Sequence, residues 1–308
     1  MGYTFQFAWE VSLIEWCQAN IPVFIIKILD FVSNIGDVIP VVAIIGFFYL
    51  CYDKKFGRRL LINSVVSLVL CGFLKNIFLR RRPYFDNKNI ECLKIVDKNY
   101  DLYDIKNQGY SFPSMHSSNA ATVFGTIYEY YKKNSLLVLA IVMSIIVGSS
   151  RFILGCHYPT DVIVGLTVGI LCSAFFSKVQ DKLSNNQLYI LLIVVIAIGF
   201  FFCKSSDYYS ASGIALGFIG CEIIDNKYIN FKNTKNIVRG IVRLLLAGAA
   251  FLIVCEGLKF VVPTSFAEAN NIGAYLFRTF RYALGIFIGL GLTPMLYKYN
   301  LLKIKDDE

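Results

Sequence analysis

Histidine and charge are scarce in this sequence, and cysteine is present without a metal-binding pattern. Only two of the 308 residues are histidine, and 17% are charged. The nine cysteines are scattered, mostly within apolar runs, and lack the close spacing of a zinc or redox site. They are therefore interpreted as small core residues. Histidines, cysteines and carboxylates form no cluster with ligand spacing, so we predict no metal, and we also predict no cofactor and no nucleic-acid partner. No internal repeat, low-complexity segment or soluble domain is visible.

Apolar residues dominate what is there. They make up 56% of the chain, and the mean hydropathy is +0.58. Several apolar runs reach about 20 residues, the length that spans a bilayer. The sequence therefore predicts an integral membrane protein. The N-terminus lacks the basic region and small-residue cleavage site of a secretory signal peptide, so Met1 onward is expected to be mature sequence.

The predicted fold is all-α, a polytopic bundle of about ten helices. Residues 4–19 are amphipathic, and with the run to Phe31 they form either an interfacial helix plus a short span or one long tilted helix. The other spans are predicted at about 38–52, 60–79, 114–131, 135–154, 160–177, 187–203, 208–224, 237–259 and 273–297.

The basic residues orient these spans. The predicted loop 53–59 carries four lysines and arginines, which marks it as cytoplasmic, and alternation places Lys132-Lys133 and Lys178 on the same side. The net charge of +9 is therefore first explained by orientation, not by an acidic partner. Three polar segments, around residues 82, 113 and 157, then meet at the opposite, outer face.

The segment from Ser150 to Asp161 places Arg151, His157 and Asp161 between two apolar runs. Charged groups near hydrocarbon are costly and typical of a functional cavity. The four-residue step from His157 to Asp161 allows the carboxylate to reach the imidazole across one helical turn and to set its tautomer. The alternative is a loop histidine satisfied by a helix-capping aspartate.

Two cations precede the first polar segment. Lys75 lies seven residues before Arg82, about two helical turns, so both are expected on nearly the same face, with the lysine deeper in the membrane. A lysine at that depth needs an anionic partner or a wet cavity. Arg80 and Arg81 are interpreted instead as an interfacial cluster whose side chains snorkel to the surface.

The second polar segment, Ser111 to Ser118, begins a span. A helix N-terminus binds anions through its free N–H groups, and Ser114 adds a hydroxyl while His116 would face the same anion. An ordinary N-cap is the alternative for Ser114. Both histidines of the chain fall in polar segments of the outer face, which favours a shared site.

Together the three segments resemble the signature of the phosphatidic acid phosphatase type 2 superfamily, which also contains vanadium haloperoxidases and glucose-6-phosphatase. The matching residues are Lys75-x6-Arg82-Pro83, Pro113-Ser114-Met115-His116 and Ser150-Arg151-x5-His157-x3-Asp161. The resemblance covers about residues 20–180 and implies a six-helix core with its site at the outer or lumenal end. We therefore expect a phosphatase core at 1–182 and a transmembrane extension of about four helices at 183–308.

The resemblance also implies the chemistry. His157 would attack phosphorus and form a phosphohistidine, Asp161 would hold its tautomer, and His116 would protonate the leaving group. The phosphate would be bound by Lys75, Arg82, Ser114, Met115 and Arg151. Met115 replaces the glycine that is usual in the second motif, so the site could be narrower or shaped for another head group.

The expected substrate is a lipid phosphate or diphosphate, with membrane lipids as further partners and no metal. Phosphotransfer to another acceptor, hydrolysis of a sugar phosphate and, with less support, lipid transport are the alternatives.

Two further predictions concern helix packing. Small-residue pairs at Gly165/Gly169, Gly213/Gly217 and Gly285/Gly289 indicate close helix contacts. In the extension, Glu256 is expected to pair with Arg278 or Arg281 of the next helix, because charged groups at membrane depth need partners. The alternative is that one of these arginines faces the outer cavity and recruits an anionic head group.

Overall fold

The computed structural model describes residues 5–94, 101–234, 236–267 and 269–299. Over these ranges the chain forms helices and connecting segments and no β-strand element, which confirms the all-α prediction. The helices are α1 Ala8–Asn20, α2 Val23–Ser33, α3 Val38–Phe47, α4 Lys54–Phe78, α5 Pro83–Asp86, α6 Ile105–Gln108, α7 Met115–Tyr131, α8 Asn134–Ile153, α9 Pro159–Ile170, α10 Ser177–Lys182, α11 Asn185–Phe200, α12 Ser206–Ile224, α13 Ile237–Val261, α14 Thr264–Ala267, α15 Ile272–Ile286 and α16 Thr293–Lys298.

Each predicted span contains a helix, and π-helical segments at Phe48–Tyr52, Leu171–Phe176 and Phe287–Leu292 continue α3, α9 and α15. In the described part of the chain, five helices are long and apolar enough to cross a membrane, and a bent pair would make six. The pair is residues 8–20 with 23–36, bent by 118°; Pro22 is the N-cap of α2. The N-terminal region is therefore two helices and not one long tilted helix. The protein is an integral, multi-pass membrane protein.

The predicted cytoplasmic loop at 53–59 needs correction. Helix α4 begins at Lys54, because the carboxylate of Asp53 accepts a hydrogen bond of 2.9 Å from the N–H of Phe56 and caps the helix. The basic residues thus lie on the first turns of a helix, where a loop was expected.

The chain divides into two compact units. Unit 1 contains residues 1–41 and 66–181, and unit 2 contains residues 42–65 and 182–308. Helix α4 contributes its first half to unit 2 and its second half to unit 1. The division at 182/183 as a boundary between phosphatase core and extension stays a proposal.

In unit 1, helix α7 packs against α8 and α9. The contact with α9 is close because it is made through glycines. A methyl group on Gly165 would lie 2.4 Å from the carbonyl oxygen of Ser114, and one on Gly169 would lie 2.5 Å from that of Ser118. This confirms the first small-residue pair, and it brings the start of α7 against α9.

In unit 2, helix α15 packs against α12 and α13. A methyl group on Gly217 would lie 2.3 Å from the carbonyl oxygen of Ala283, and one on Gly289 would lie 2.8 Å from that of Ala247. Gly213 and Gly285 make equally close approaches. The other two small-residue pairs are therefore confirmed as helix contacts.

The expected ion pair between Glu256 and an arginine of α15 is wrong. Glu256 binds Lys259 at 2.7 Å, one turn along the same helix, because side chains three residues apart share a helix face. Arg281 is buried, and its guanidinium carbon lies 5.4 Å from the centroid of the Tyr282 ring.

Candidate active site

His157 lies buried in the connection between α8 and α9. Its Nδ1 is 2.8 Å from the carbonyl oxygen of Ser111 and 3.6 Å from Oδ2 of Asp161. A carbonyl oxygen can only accept, so Nδ1 carries the proton and Nε2 keeps its lone pair. The tautomer is thus set by the main chain of Ser111, whereas the sequence suggested Asp161 for this role. Asp161 is near enough to act on the ring through its charge.

The electrostatic surroundings keep His157 neutral. Burial lowers its pKa well below the ordinary value, and the positive charges of Arg82, Arg151 and Lys75 lower that pKa further. At neutral pH the imidazole is therefore unprotonated. A neutral ring with a free Nε2 can act as a nucleophile.

Asp161 is fully buried at the first turn of α9. Its Oδ2 accepts from the N–H of Tyr158 at 2.8 Å, which caps the helix, and its Oδ1 accepts from Nη1 of Arg80 at 2.6 Å. Its own carbonyl oxygen accepts from the N–H of Ser114 at 3.0 Å. The capping role foreseen as the alternative is therefore real, and the same residue joins the second and third sequence segments.

His116 lies on the first turn of α7 and is partly exposed. Its Nε2 hydrogen-bonds Oδ1 of Asp37, and Nζ of Lys94 is 3.5 Å from the same oxygen. Burial opposes ionisation of Asp37, but the hydrogen bond and charge of His116, with Lys94 and Arg151, lower its pKa below the ordinary value. Asp37 is therefore an ionised partner for His116. Neither Asp37 nor Lys94 was predicted, because each lies outside the three segments.

Ser114 is the N-cap of α7. Its buried hydroxyl oxygen accepts from the N–H of Ser117 at 3.4 Å and from the hydroxyl of Ser117 at 2.9 Å. The ordinary N-cap is therefore present, and the proton of Ser114 remains available for a further acceptor. Met115 is the first residue of the helix, so its N–H lies at the positive end of the helix dipole.

The three predicted cations all lie within electrostatic reach of His157. Lys75 and Arg151 are buried. Arg151 donates to the hydroxyl of Ser33 at 3.1 Å, while its buried Nε has no hydrogen-bond partner within the described structure. Such a group calls for an acceptor, because an unsatisfied buried charged donor is costly.

Arg82 is held differently from Arg151. Its Nε donates to the carbonyl oxygens of Gln108 and Gly109 at 3.1 and 3.3 Å, and its Nη1 donates to that of Cys156 at 3.3 Å. Arg82 therefore fastens the segment before α7 to the residue preceding His157, besides adding positive charge.

Arg80 overturns its sequence interpretation. It was expected to snorkel at the interface, but it is fully buried and its Nη2 binds Oε2 of Glu10 at 2.7 Å. The reason is local: α4 ends at Phe78, and Leu79 has a φ of 49°, so helical periodicity no longer sets the direction of Arg80. Arg81 is half-exposed and pairs with Asp86 at 2.6 Å, in keeping with an interfacial residue.

The described residues include no group of three or more histidines, cysteines and carboxylates arranged to hold a metal ion.

Two protein-family models match this chain, and one of them covers the site residues described above. The model of the PAP2 superfamily matches residues 56–185, and that of the PAP2 superfamily phosphatase transmembrane extension matches residues 209–304. The first match contains all eight predicted site residues, and the second lies within unit 2.

Three relatives illustrate the similarity. Phosphatidylglycerophosphatase B of Bacillus subtilis is 29% identical over 172 residues, 52% of this chain and 77% of the relative. Undecaprenyl-diphosphatase of Sulfolobus acidocaldarius is 30% identical over 147 residues, which cover 46% of this chain and 63% of the relative. Lipid A 4'-phosphatase of Porphyromonas gingivalis is 29% identical over 151 residues, which cover 45% of this chain and 59% of the relative. For the last two relatives the chain spans less than two thirds of their length. No solved structure matches the chain at comparable significance.

Proposed function

Because this chain belongs to the PAP2 superfamily, we propose that it hydrolyses the phosphate of a membrane lipid through a phosphohistidine on His157. One observation carries the proposal. The Nδ1 of His157 is committed to the carbonyl oxygen of Ser111, which leaves Nε2 unprotonated next to a cluster of cations that includes Arg151, whose buried Nε has no partner among the described residues. A nucleophile and an unsatisfied anion site thus lie together.

In the proposed first step, Nε2 of His157 forms a bond to phosphorus while the bond from phosphorus to the lipid oxygen breaks. A bound phosphate would offset the charge of Arg151 and so favour the protonated form of His116, which is held by Asp37 and gives its proton to the departing oxygen. The carboxylate of Asp161, 3.6 Å from Nδ1, stabilises the positive charge that the ring acquires. Lys75, whose ammonium lies near Gly109, and the arginines offset the charge on the phosphoryl oxygens.

In the second step, water gives a proton to His116 and attacks phosphorus. The P–N bond breaks, inorganic phosphate leaves, and His157 returns to its neutral form. His116 is thus acid in the first step and base in the second, and no redox change occurs.

The substrate class follows from position and charge. The cations gather at the ends of apolar helices, so a phosphate head group can reach His157 while acyl or prenyl chains stay in hydrocarbon. The relatives are named for phosphatidylglycerol phosphate, undecaprenyl diphosphate and lipid A, which supports a monoester or diphosphate of a lipid. The lysines of α4 and those near residue 132 favour a cytoplasmic position for the opposite end of the bundle, and hence an outer or lumenal site.

The test is phosphate release by the purified protein in detergent, from a panel of lipid monophosphates and diphosphates with chelator present. Wild type should release phosphate and form an acid-labile phosphoenzyme, vanadate should inhibit, and His157→Ala should abolish both activities. Ser184→Ala, at the cap of α11 in unit 2, is the control and should retain activity.

Near-wild-type activity in His157→Ala would refute the mechanism, and loss of activity with chelator that magnesium restores would indicate a metal-dependent enzyme. Appearance of a phosphorylated alcohol in place of free phosphate would indicate phosphotransfer. Hydrolysis of an impermeant, short-chain lipid phosphate by intact cells tests the outer location.

A further inference from the structure

A buried ionic network connects the first helix of the chain to the proposed catalytic residues. Arg80 lies at its centre and is fully buried, as are Glu10 and Asp161. Its Nη1 donates to Oδ1 of Asp161 at 2.6 Å, and its Nη2 donates to Oε2 of Glu10 at 2.7 Å. One guanidinium thus pairs with two carboxylates that lie far apart in the chain.

Glu10 also holds the start of α9 directly. Its Oε1 accepts from the N–H of Thr160 at 3.1 Å and from the hydroxyl of Thr160 at 2.5 Å. Thr160 Oγ1 in turn accepts from Nη1 of Arg80 at 2.7 Å. Both oxygens of the Glu10 carboxylate are therefore used, and Thr160, next to Asp161, closes the network into a ring.

The plane of the guanidinium is set largely by the N-terminal segment. Nε of Arg80 donates to the carbonyl oxygen of Phe5 at 2.8 Å, and Nη2 is held by Glu10. The same guanidinium lies over the ring of Tyr158, with its central carbon 3.9 Å from the ring centroid. Tyr158 directly follows His157, and its hydroxyl donates to Oε1 of Gln6 at 2.7 Å. The N-terminal segment therefore contacts the capping turn that follows His157, both directly and through Arg80.

We propose that Glu10, Arg80 and Thr160 are positioning residues for the reaction and that helix α1 is part of the catalytic machinery. Arg80, oriented by Glu10, fixes Oδ1 of Asp161, and this directs Oδ2 toward the N–H of Tyr158 and Nδ1 of His157. The inference rests on the proposed function, because it assigns a role relative to the nucleophile. Helix α1 would then have a role beyond anchoring the chain in the membrane, which is the role that its exposed tryptophans suggest.

The physical reason for the effect is charge and geometry. With Glu10 neutral, Arg80 loses one of its two anionic partners and keeps only neutral acceptors, such as the carbonyl oxygen of Phe5, on the side of the N-terminal segment. Asp161 then competes with fewer groups for the guanidinium and shifts with it, so the nucleophile is misaligned. The phosphate-binding cation Arg151 donates to Ser33 and not to these carboxylates, so it should bind substrate as before.

The decisive variant is Glu10→Gln, with Glu15→Gln as the matched control. Glu15 lies on the same helix but hydrogen-bonds Asn89 at the surface. Working sites should be counted by the stoichiometry of vanadate binding at saturation, and turnover should be normalised to that count. We expect Glu10→Gln to lower kcat and the rate of phosphoenzyme formation about 10- to 100-fold, with KM changed less than about twofold. Glu15→Gln should behave as wild type.

A milder variant tests the inference in case Glu10→Gln does not fold. Thr160→Val keeps the side-chain shape and removes only the hydroxyl, and it should lower kcat about three- to tenfold with the same unchanged KM. A purely structural network predicts a lower Tm and fewer working sites, but a normal kcat per site. A normal kcat per working site in both variants, with an active wild type, would overturn the inference. A wild type that releases no phosphate would instead refute the proposed function itself.

Discussion

The buried carboxylates of the two compact units are paired in different ways. In unit 2, Glu222 and Asp225 are buried near the end of α12, and each pairs with one basic side chain, Arg58 and Lys54 respectively. The hydroxyl of Tyr49 also donates to Glu222 at 3.3 Å. Each of these two carboxylates has its own cation. Unit 2 also contains buried arginines: Arg243 donates to the carbonyl oxygens of Leu50 and Lys232, and the buried Nε of Arg281 has no hydrogen-bond partner within the described structure.

In unit 1 the balance is uneven. Glu10 and Asp161 share Arg80, while Arg82 donates to main-chain carbonyls and Arg151 to a serine hydroxyl. Neither of these two arginines forms a salt bridge with a carboxylate in the described part of the chain. Buried arginines held by main-chain oxygens occur in both units, so what sets Arg82 and Arg151 apart is that both lie near His157. The comparison therefore separates carboxylates that have one cation each from carboxylates that share a cation beside the proposed nucleophile.

The largest effect is expected from a change at Asp161, the carboxylate proposed to assist His157. Asp161→Asn keeps only one of the two acceptor oxygens that serve Arg80 and the N–H of Tyr158, so it should lower Tm. It should lower kcat per working site about 10³- to 10⁴-fold, since the charge that stabilises the imidazolium is lost. Steady-state kinetics with circular dichroism measures both.

The matched variant in unit 2 is Glu222→Gln. It should reduce Tm and leave kcat per working site near wild type, because Glu222 is assigned only to the internal pairing of unit 2. Equal kinetic losses in the two variants would remove the distinction between the units.

A smaller effect is expected from changing one cation for another. Arg151→Lys keeps the charge but loses the guanidinium fork and its unpartnered Nε, so kcat/KM should fall about 100-fold. Arg58→Lys, in which the pair with Glu222 can reform, should leave kcat/KM unchanged and cost only stability. Wild-type kinetics in Arg151→Lys would mean that its guanidinium does not contact the phosphate.

The smallest effect concerns pH. The pKa of His157 is lowered by burial and by its cationic neighbours, so the ring stays unprotonated below the ordinary value of about 6.5. The loss of kcat/KM that follows its protonation should therefore occur only below that pH. Arg82→Gln removes a positive charge, which makes protonation easier and should move this loss toward higher pH.

The substrate's own phosphate ionisation enters both profiles equally, so the difference between wild type and Arg82→Gln reports the enzyme. Profiles of kcat/KM from mildly acidic to slightly alkaline pH measure it. Superimposable profiles would show that Arg82 acts only through the carbonyl oxygens it binds.

Much of the fold was predictable because hydropathy is a local property. The apolar runs located the helices to within a few residues, apart from the start of α4, where Asp53 supplies a cap that extends the helix into the basic segment. The glycine pairs also identified helix contacts correctly, since a missing side chain permits close approach wherever the partner lies.

The sequence indicated which residue types belong to the candidate site, but not which residues contact one another there. Arg151 and His157 stand out because a charged or titratable group between apolar runs needs a reason. The orienting acceptor for His157 was missed because it is the main-chain oxygen of Ser111, and every residue has such an oxygen. Asp37 was missed because it marks a helix break in the sequence and only the packing of α7 brings His116 to it.

By itself, the sequence determined that the protein is a helical membrane protein, where its helices run and which residues are candidates for its chemistry, because these depend on composition and spacing along one chain. Only the tertiary structure decided the partners: Glu10 with Arg80, Arg80 with Asp161, and Glu256 with Lys259 in place of an arginine. The physical reason is that a buried ion pair depends on distance and direction in space. Arg80 and Glu10 are 70 positions apart in the chain, and the turn at Leu79 removes the periodicity that would have pointed one toward the other.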